Sequence, residues 1–483
     1  MLGSRYEQKP LKHGAKDTCT CPHCWTVFPF EDALYVARHP ELLGDPMLGQ
    51  YVASRFKPTR FTAQGQAIDP GGYACLEMAC PACHLEVPKS LSEFPSLFFS
   101  IVGTEQSGKS FFLAALSWQL RKLMRSHFAM ALSDLETSLN KQLNTYEDVL
   151  FFAKDPDQYV TIDKTQQTGP LYNSLTLNGV DTFLPRPFLF TIKPQLNHPE
   201  IARGKEISRT LVLYDNAGEH FNPDQDTLKQ PGTMHMVRSE VLFFMFDPTQ
   251  DPRFRAKLAG NKDPQLQPDW HIRRQDIIFN EAARRIRRHS GMSDAAKYRK
   301  TVIVVVNKFD LWKHLLPIDV DPSPFMPLRK GTVHGLETGY VEDISFIVQS
   351  LLNSICPEVV TAVEQFAQRV IFIPVSTIGH SPIRLEGLPG LRVRPRDIKP
   401  FWVTIPFLYA FARLGLIYRC EQTYPADLPH AKLIGIVNGL IHCIAPDGTR
   451  LEVPPRLAGK VIHHPKSGVL FIVPTATTTN APP

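Results

Sequence analysis

No stretch of this 483-residue sequence reads as a membrane span. The best candidate, Phe401 to Tyr418, is interrupted by Pro406 and Arg413, whereas a spanning helix needs about 20 consecutive apolar residues. It reads instead as a core helix. The first 20 residues hold no apolar segment of the secretory type, so the expected location is the cytoplasm. Charge of one sign is also scarce. Against 47 Asp and Glu stand 53 Lys and Arg, a net +6, which on so long a chain does not by itself imply a polyanionic partner. A composition of 43% hydrophobic and 21% charged residues excludes disorder as the overall state. Internal repeats are missing, and 42 prolines exclude coiled coils and long helical arrays while suiting loop-rich α/β folds.

What is present falls into three segments. Residues 1–92 are rich in Cys, His, Pro and Gly and poor in apolar runs, so something other than a core must hold them together. Residues 93–418 alternate buried-strand runs (LFFSIVG, FLFTI, TLVLYD, VLFFMFD, TVIVVVN, VIFIPVS) with amphipathic helical patterns, the signature of a doubly wound α/β sheet. Pro-rich insertions interrupt it around 155–187, 248–270, 314–334 and 380–400. Residues 419–483 read as a β appendage of four or five short strands and a soft tail.

Gly103-Thr-Glu-Gln-Ser-Gly108-Lys109-Ser110 satisfies G-x-x-x-x-G-K-[ST] between a strand and a helix, the context that the motif requires. Gly103 and Gly108 let the backbone turn close to phosphate oxygens. The N–H groups of Gln106, Ser107, Gly108 and the residues through Phe111 form an anion nest at a helix start. Lys109 reaches the β- and γ-phosphates and the Ser110 hydroxyl is a Mg²⁺ ligand. Asn307-Lys308-Phe309-Asp310 follows the most apolar strand, at the sheet edge where α/β proteins bind ligands. A carboxylate at Asp310 accepts from both N1–H and the 2-amino group of guanine, a pair adenine lacks, and such a site discriminates by roughly 10⁴-fold. Asn307 and Lys308 brace the loop and flank the base.

With these motifs in order, the chain resembles the P-loop GTPases of the TRAFAC class. The resemblance implies a mixed sheet with one antiparallel strand, for which PFLFTIKP is the candidate. It further implies that Asp215, in Asp215-Asn-Ala-Gly218, holds Mg²⁺ through water, that the Gly218 N–H senses the γ-phosphate, and that Ser376-Thr377 approaches the guanine O6. Thr377 stands where the family has Ala. After Gly218, where many relatives carry a water-orienting Gln or His, stand Glu219 and His220. A carboxylate near the γ-phosphate repels it, so water positioning passes to His220 or to a partner. Among Thr165, Thr168, Thr176 and Thr182, Thr168 is the preferred switch threonine, a further Mg²⁺ ligand. The 105 residues from Ser110 to Asp215 imply inserted structure around the first switch. Asp247, after VLFFMF, is the rival carboxylate of an ATPase-type site.

Cys21-Pro-His-Cys24 and Cys80-Pro-Ala-Cys83 are two knuckles able to aim four thiolates at one structural Zn²⁺, with an insertion between them. Cys19, Cys75, His23 and His84 are spare donors. A ribbon of this kind joined to a GTPase-like domain is similar to bacterial zinc-ribbon proteins of the predicted double-GTPase group, which implies a protein partner or a second GTPase. Between Arg273 and Lys300, nine Lys or Arg face three acidic residues, a local excess equal to that of the whole chain. Ile278, Ala282 and Ile286 are expected to face the sheet, leaving Arg284, Arg285 and Arg288 to water. Such a face suits RNA, an acidic partner or lipid headgroups, but a solvated helix is the favoured reading. The function expected is a Mg²⁺-dependent GTP-hydrolysing switch. The alternatives are a nucleotide-binding scaffold without turnover, or an ATPase using Asp247.

Overall fold

The computed structural model describes residues 18–162, 172–177, 179–215, 234–328, 333–388, 390–420, 428–437, 439–464 and 469–475. Thr168, Gly218, Glu219 and His220 lie outside these residues.

The apolar runs become strands of one sheet: β1 (Ser96–Gly103), β2 (Met130–Asp134), β3 (Phe188–Pro194), β4 (Arg209–Asp215), β5 (Val241–Phe246), β6 (Tyr298–Val306) and β7 (Ala367–Pro374). Their order across the sheet is β2-β3-β4-β1-β5-β6-β7. β3 runs antiparallel to both β2 and β4, while β4, β1, β5, β6 and β7 are mutually parallel. The expected mixed α/β sheet with one antiparallel strand is present, and PFLFTIKP is that strand. An edge strand, β2, is added beyond the six runs legible in the sequence. It starts where α1 (Lys109–Phe128) stops, at Ala129, whose left-handed φ of 49° ends the helix. β2, α2 (Lys141–Phe151) and a hairpin of Tyr172–Leu177 with Val180–Pro185 lie in the stretch between Ser110 and Asp215.

Alternation along the strands divides the sheet into two faces. Phe99 and Ile101 of β1 and Leu211 and Leu213 of β4 join a large core with α1 and with Phe407 and Phe411 of the helix Ile405–Arg413. Phe98, Leu189, Val212 and Tyr214 face the other way, onto a second cluster with Trp25, Phe28 and Cys21 of the N-terminal segment. That segment therefore rests on the sheet itself. Phe407 packs edge-on against Phe99 and stacks on Phe243, at centroid distances of 5.3 and 4.5 Å. This explains why the Phe401 to Tyr418 run is apolar. Among the described residues, no helix is long and apolar enough to cross a membrane.

The C-terminal strands Lys432–Val437, Leu440–Ile444 and Arg450–Val453 form one small sheet, and Val461–His463 pairs with Leu470–Ile472. Their buried residues Ile441, Val453 and Phe471 join the large core. Lys460 pairs with Asp343 of α4 (Thr338–Ile355).

One expectation is corrected. In α3 (Gln275–Ser290), Ile278, Ala282 and Ile286 are buried as expected, but Arg285 is only 2% exposed. Its Nε donates to Glu281 at 2.6 Å, and Arg284 also bonds Glu281. Arg285 lies three residues from Ala282 and thus on the apolar side of the helix, where Glu281 neutralises it. Exposed Arg284 and Arg288 remain, a weaker cationic face than the local count suggests.

Candidate functional site

The phosphate loop connects β1 to α1 and is shaped by two left-handed residues, Gln106 (φ 59°) and Gly108 (φ 89°). Gly103 has no room for a side chain, since a Cβ would lie 2.9 Å from Met245. Gly108 faces the same limit, because a Cβ would stand 2.8 Å from Asn307 Nδ2. That amide donates to the Ser107 carbonyl at 3.0 Å, so the start of the N-K-x-D segment braces the loop directly. Ser107 Oγ donates to the Thr104 carbonyl at 2.8 Å, and Lys109 Nζ donates to the carbonyls of Gly103 and Thr104 at 3.0 and 2.6 Å. From the other side, Gln250 accepts from Thr104 Oγ1 and donates to the Glu105 carbonyl.

Asn307 Oδ1 accepts from the Lys308 N–H and from Thr377 Oγ1, at 2.8 and 2.9 Å. Lys308 sits at φ 58°, and its Nζ bonds Asp247 Oδ2 at 2.6 Å and Thr249 Oγ1 at 2.8 Å. It also lies 5.7 Å from the centre of the Trp270 ring, within cation–π range. Asp247 is fully buried, its other oxygen accepting from the Thr249 backbone and hydroxyl. This carboxylate is committed to holding Lys308. Asp310 accepts from the Ser376 hydroxyl, which in turn accepts from the Gly379 N–H at 3.0 Å. Burial pushes the Asp310 carboxyl up, against the opposing pull of that hydroxyl.

These segments meet at one cavity of about 960 Å³. Of the residues singled out in the sequence, Gln106, Gly108, Lys109, Ser110, Phe111, Asn307, Lys308, Asp310 and Thr377 line it. Gly103, Ser107 and Ser376 support it from behind through the contacts above. Asp215 ends β4, in register with Ile101 of β1. Thr176 and Thr182 belong to the hairpin packed on the N-terminal segment.

Further lining residues had no motif in the sequence. Asp263, Trp270, His380, Arg384 and Arg392 line the cavity, and all five belong to two of the Pro-rich insertions. An Arg384–Asp269 ion pair of 2.5 Å joins the two segments. Thr161 also lines the cavity, held there by paired backbone bonds between Val160 and Val393.

In the N-terminal segment the sulfurs of Cys21, Cys24, Cys80 and Cys83 all lie within 4.8 Å of one another. Cys21 and Cys83 are 3.7 Å apart and Cys24 and Cys80 3.6 Å. These separations are far above a disulfide bond and match the roughly 3.8 Å between thiolates around tetrahedral zinc at about 2.3 Å. The two knuckles repeat one geometry. Trp25 and His84 both sit at φ 61° and return their N–H to the carbonyls of Cys21 and Cys80, while the His23 and Ala82 N–H groups each donate to a sulfur at 3.3 Å. The donor set fits a closed structural zinc site. Three of the four spare donors bond elsewhere: His23 with the Glu86 carbonyl, His84 with Asp45, and Cys75 with Asp69.

No protein-family profile matches the chain. In sequence it is similar to "Putative ESX-1 scaffolding and assembly protein SaeC" of Mycolicibacterium smegmatis, 22% identical over 356 residues that cover 70% of this chain and 80% of that protein. Among solved structures it is similar to the GTPase-like domain of Ski7 from S. cerevisiae, bound to GDP and inorganic phosphate, at 15% identity and a TM-score of 0.27. A second is elongation factor SelB from Methanococcus maripaludis with a GTP analogue, at 10% identity and a TM-score of 0.20. The matches cover 73% and 76% of this chain, but only 58% of the Ski7 chain and 44% of the SelB chain.

Proposed function

We propose that this chain binds GTP with Mg²⁺ and hydrolyses it to GDP as a molecular switch, with the zinc-bound N-terminal segment and the C-terminal strands as interaction modules. One observation carries the proposal: Lys109 and Ser110 of the phosphate loop share a cavity with Asp310 of the N-K-x-D segment. The loop N–H groups and Lys109 Nζ hold the phosphates, Lys109 exchanging two carbonyl partners for them, and Asp310 reads the guanine donor edge while Ser376 holds its carboxylate in place. Thr377 closes the wall beside Asn307. Ser110 and Asp215 are the residues to hold Mg²⁺, with Thr168 or Thr161 as the third, and the ion neutralises charge on the phosphates when bound. Water positioning falls to His220 or to a partner, since the Glu219 carboxylate would repel the γ-phosphate. The engagement of Asp247 with Lys308 argues against an ATPase built on Asp247.

Single-turnover hydrolysis of GTP and of ATP, by wild type and Lys109→Ala, tests turnover. GTP cleavage that this substitution abolishes supports the switch. Asp310→Asn tests the base, and should move preference from GTP toward xanthosine triphosphate. ATP competing on equal terms would sink the guanine assignment.

A second reading, a nucleotide-binding scaffold without turnover, is favoured by the name of SaeC and by Glu219 at the water-positioning place. It predicts tight GTP binding with no cleavage by the wild type, and a protein partner held through the N-terminal segment.

A further inference from the structure

The cavity carries polar groups that the phosphate loop and the N-K-x-D segment leave unexplained. Asp263 lines the cavity yet is only 2% exposed. Its Oδ1 accepts from the Gln265 N–H at 2.7 Å, capping a short 3₁₀ turn. Its Oδ2 is buried with no hydrogen-bond partner among the described residues, and so is the indole N–H of Trp270, which also lines the cavity. A buried carboxylate oxygen without a donor is destabilising unless a ligand supplies one. Turn capping accounts for one oxygen only.

Building on the guanine assignment above, we propose that Asp263 is a second base-reading carboxylate. It accepts the hydrogen of the guanine 2-amino group that Asp310 leaves free, with Trp270 and the Lys308 stem bounding the base. Guanine presents three hydrogens on this edge, one on N1 and two on the 2-amino group. A single carboxylate reaches N1–H and one amino hydrogen, and the remaining one matches the open oxygen of Asp263. Adenine presents no such edge, and hypoxanthine lacks the amino group. The electrostatics agree with two carboxylates at one locus. Burial is the main cause raising the Asp310 carboxyl, and the negative charge of Asp263 is among the further causes.

The test is calorimetric binding of GDP, IDP, XDP and ADP to the full chain as wild type, Asp263→Ala, Asp263→Asn and Asp310→Asn. Wild type should prefer GDP to IDP. Asp263→Ala should weaken GDP by about 10- to 100-fold, the range for a charge-assisted hydrogen bond, and leave IDP within about twofold. Asp263→Asn keeps the oxygen that caps Gln265, which places its amide NH₂ where Oδ2 stood. It should raise XDP relative to GDP because xanthine carries a carbonyl at position 2. Equal losses for GDP and IDP, or an unmoved GDP-to-IDP ratio in both Asp263 variants, overturn the assignment of Asp263. Wild type binding ADP as tightly as GDP, with Asp310→Asn silent, overturns the guanine assignment instead.

Discussion

Trp25, one residue beyond the first cysteine knuckle, donates its indole N–H to the Tyr214 hydroxyl at 3.0 Å, and Tyr214 immediately precedes Asp215. The same hydroxyl donates to the Pro22 carbonyl inside the knuckle at 2.5 Å, and the ring stacks on His235 at 4.4 Å. The knuckle is thus fastened to the strand end that carries Asp215.

Tyr214→Phe removes one hydroxyl and leaves two buried groups, the Trp25 N–H and the Pro22 carbonyl, without partners. Each such group costs about 1–3 kcal/mol. The urea midpoint should fall by a matching amount, while Phe98→Tyr, the same change in reverse on a neighbouring ring, should not rescue it.

Purified protein should contain about one zinc per chain. Cys80→Ala should lose the metal and lower the melting temperature, whereas Cys75→Ser, whose sulfur bonds Asp69 rather than the cluster, should keep it. Metal content by mass spectrometry decides, and a full zinc complement in Cys80→Ala would refute the ligand set.

Lys308→Met should strand the Asp247 carboxylate, which is fully buried. Breaking one side of a buried ion pair costs about 3–5 kcal/mol. Lys308→Met should therefore be unstable by chemical denaturation even without nucleotide, separating its structural role from any contact with the base.

Gly108→Ala forces a side chain to φ 89° and to 2.8 Å from Asn307 Nδ2. Left-handed backbone costs about 1–2 kcal/mol for a non-glycine residue, and the clash pushes Asn307 off the Ser107 carbonyl. Nucleotide affinity should fall at least about tenfold, measured by equilibrium titration.

Glu337, at the start of α4, has its carboxyl pushed up to about 7 by burial and by the charge of Asp321. Between its ordinary value and that pH, the folded chain holds a proton that the unfolded chain releases. The stability this contributes is full below the ordinary carboxyl range and is lost as pH rises toward 7. Melting temperatures from pH 4.5 to 8 should show the decline, and Glu337→Gln should flatten it.

Local chemistry made part of the cavity legible. A phosphate loop needs glycine at fixed positions, and N-K-x-D needs a buried strand before it; both are properties of a short stretch of sequence, and Lys109, Asn307 and Asp310 line the cavity together. The same holds for the paired C-x-x-C knuckles, whose turn geometry is dictated within six residues. The further lining residues had no such signature. Asp263, Trp270, His380 and Arg392 stand in irregular Pro-rich segments without periodicity, and only long-range contacts such as Arg384–Asp269 bring them to the site. Arg285 failed for the converse reason: a charged residue at the edge of the apolar stripe was assigned to water, but a buried Glu281 one turn earlier makes burial tolerable.

The sequence by itself determined six of the seven strands of the large sheet, the glycine-bearing turn between β1 and α1 and the four clustered sulfurs, because apolar runs, glycine's conformational freedom and thiolate chemistry act over a few residues. Only the tertiary structure decided that the cysteine module lies on the sheet face beside Asp215, and that two Pro-rich insertions complete the cavity. Those placements depend on which buried surfaces match across the fold, and no window of sequence contains both sides of a match.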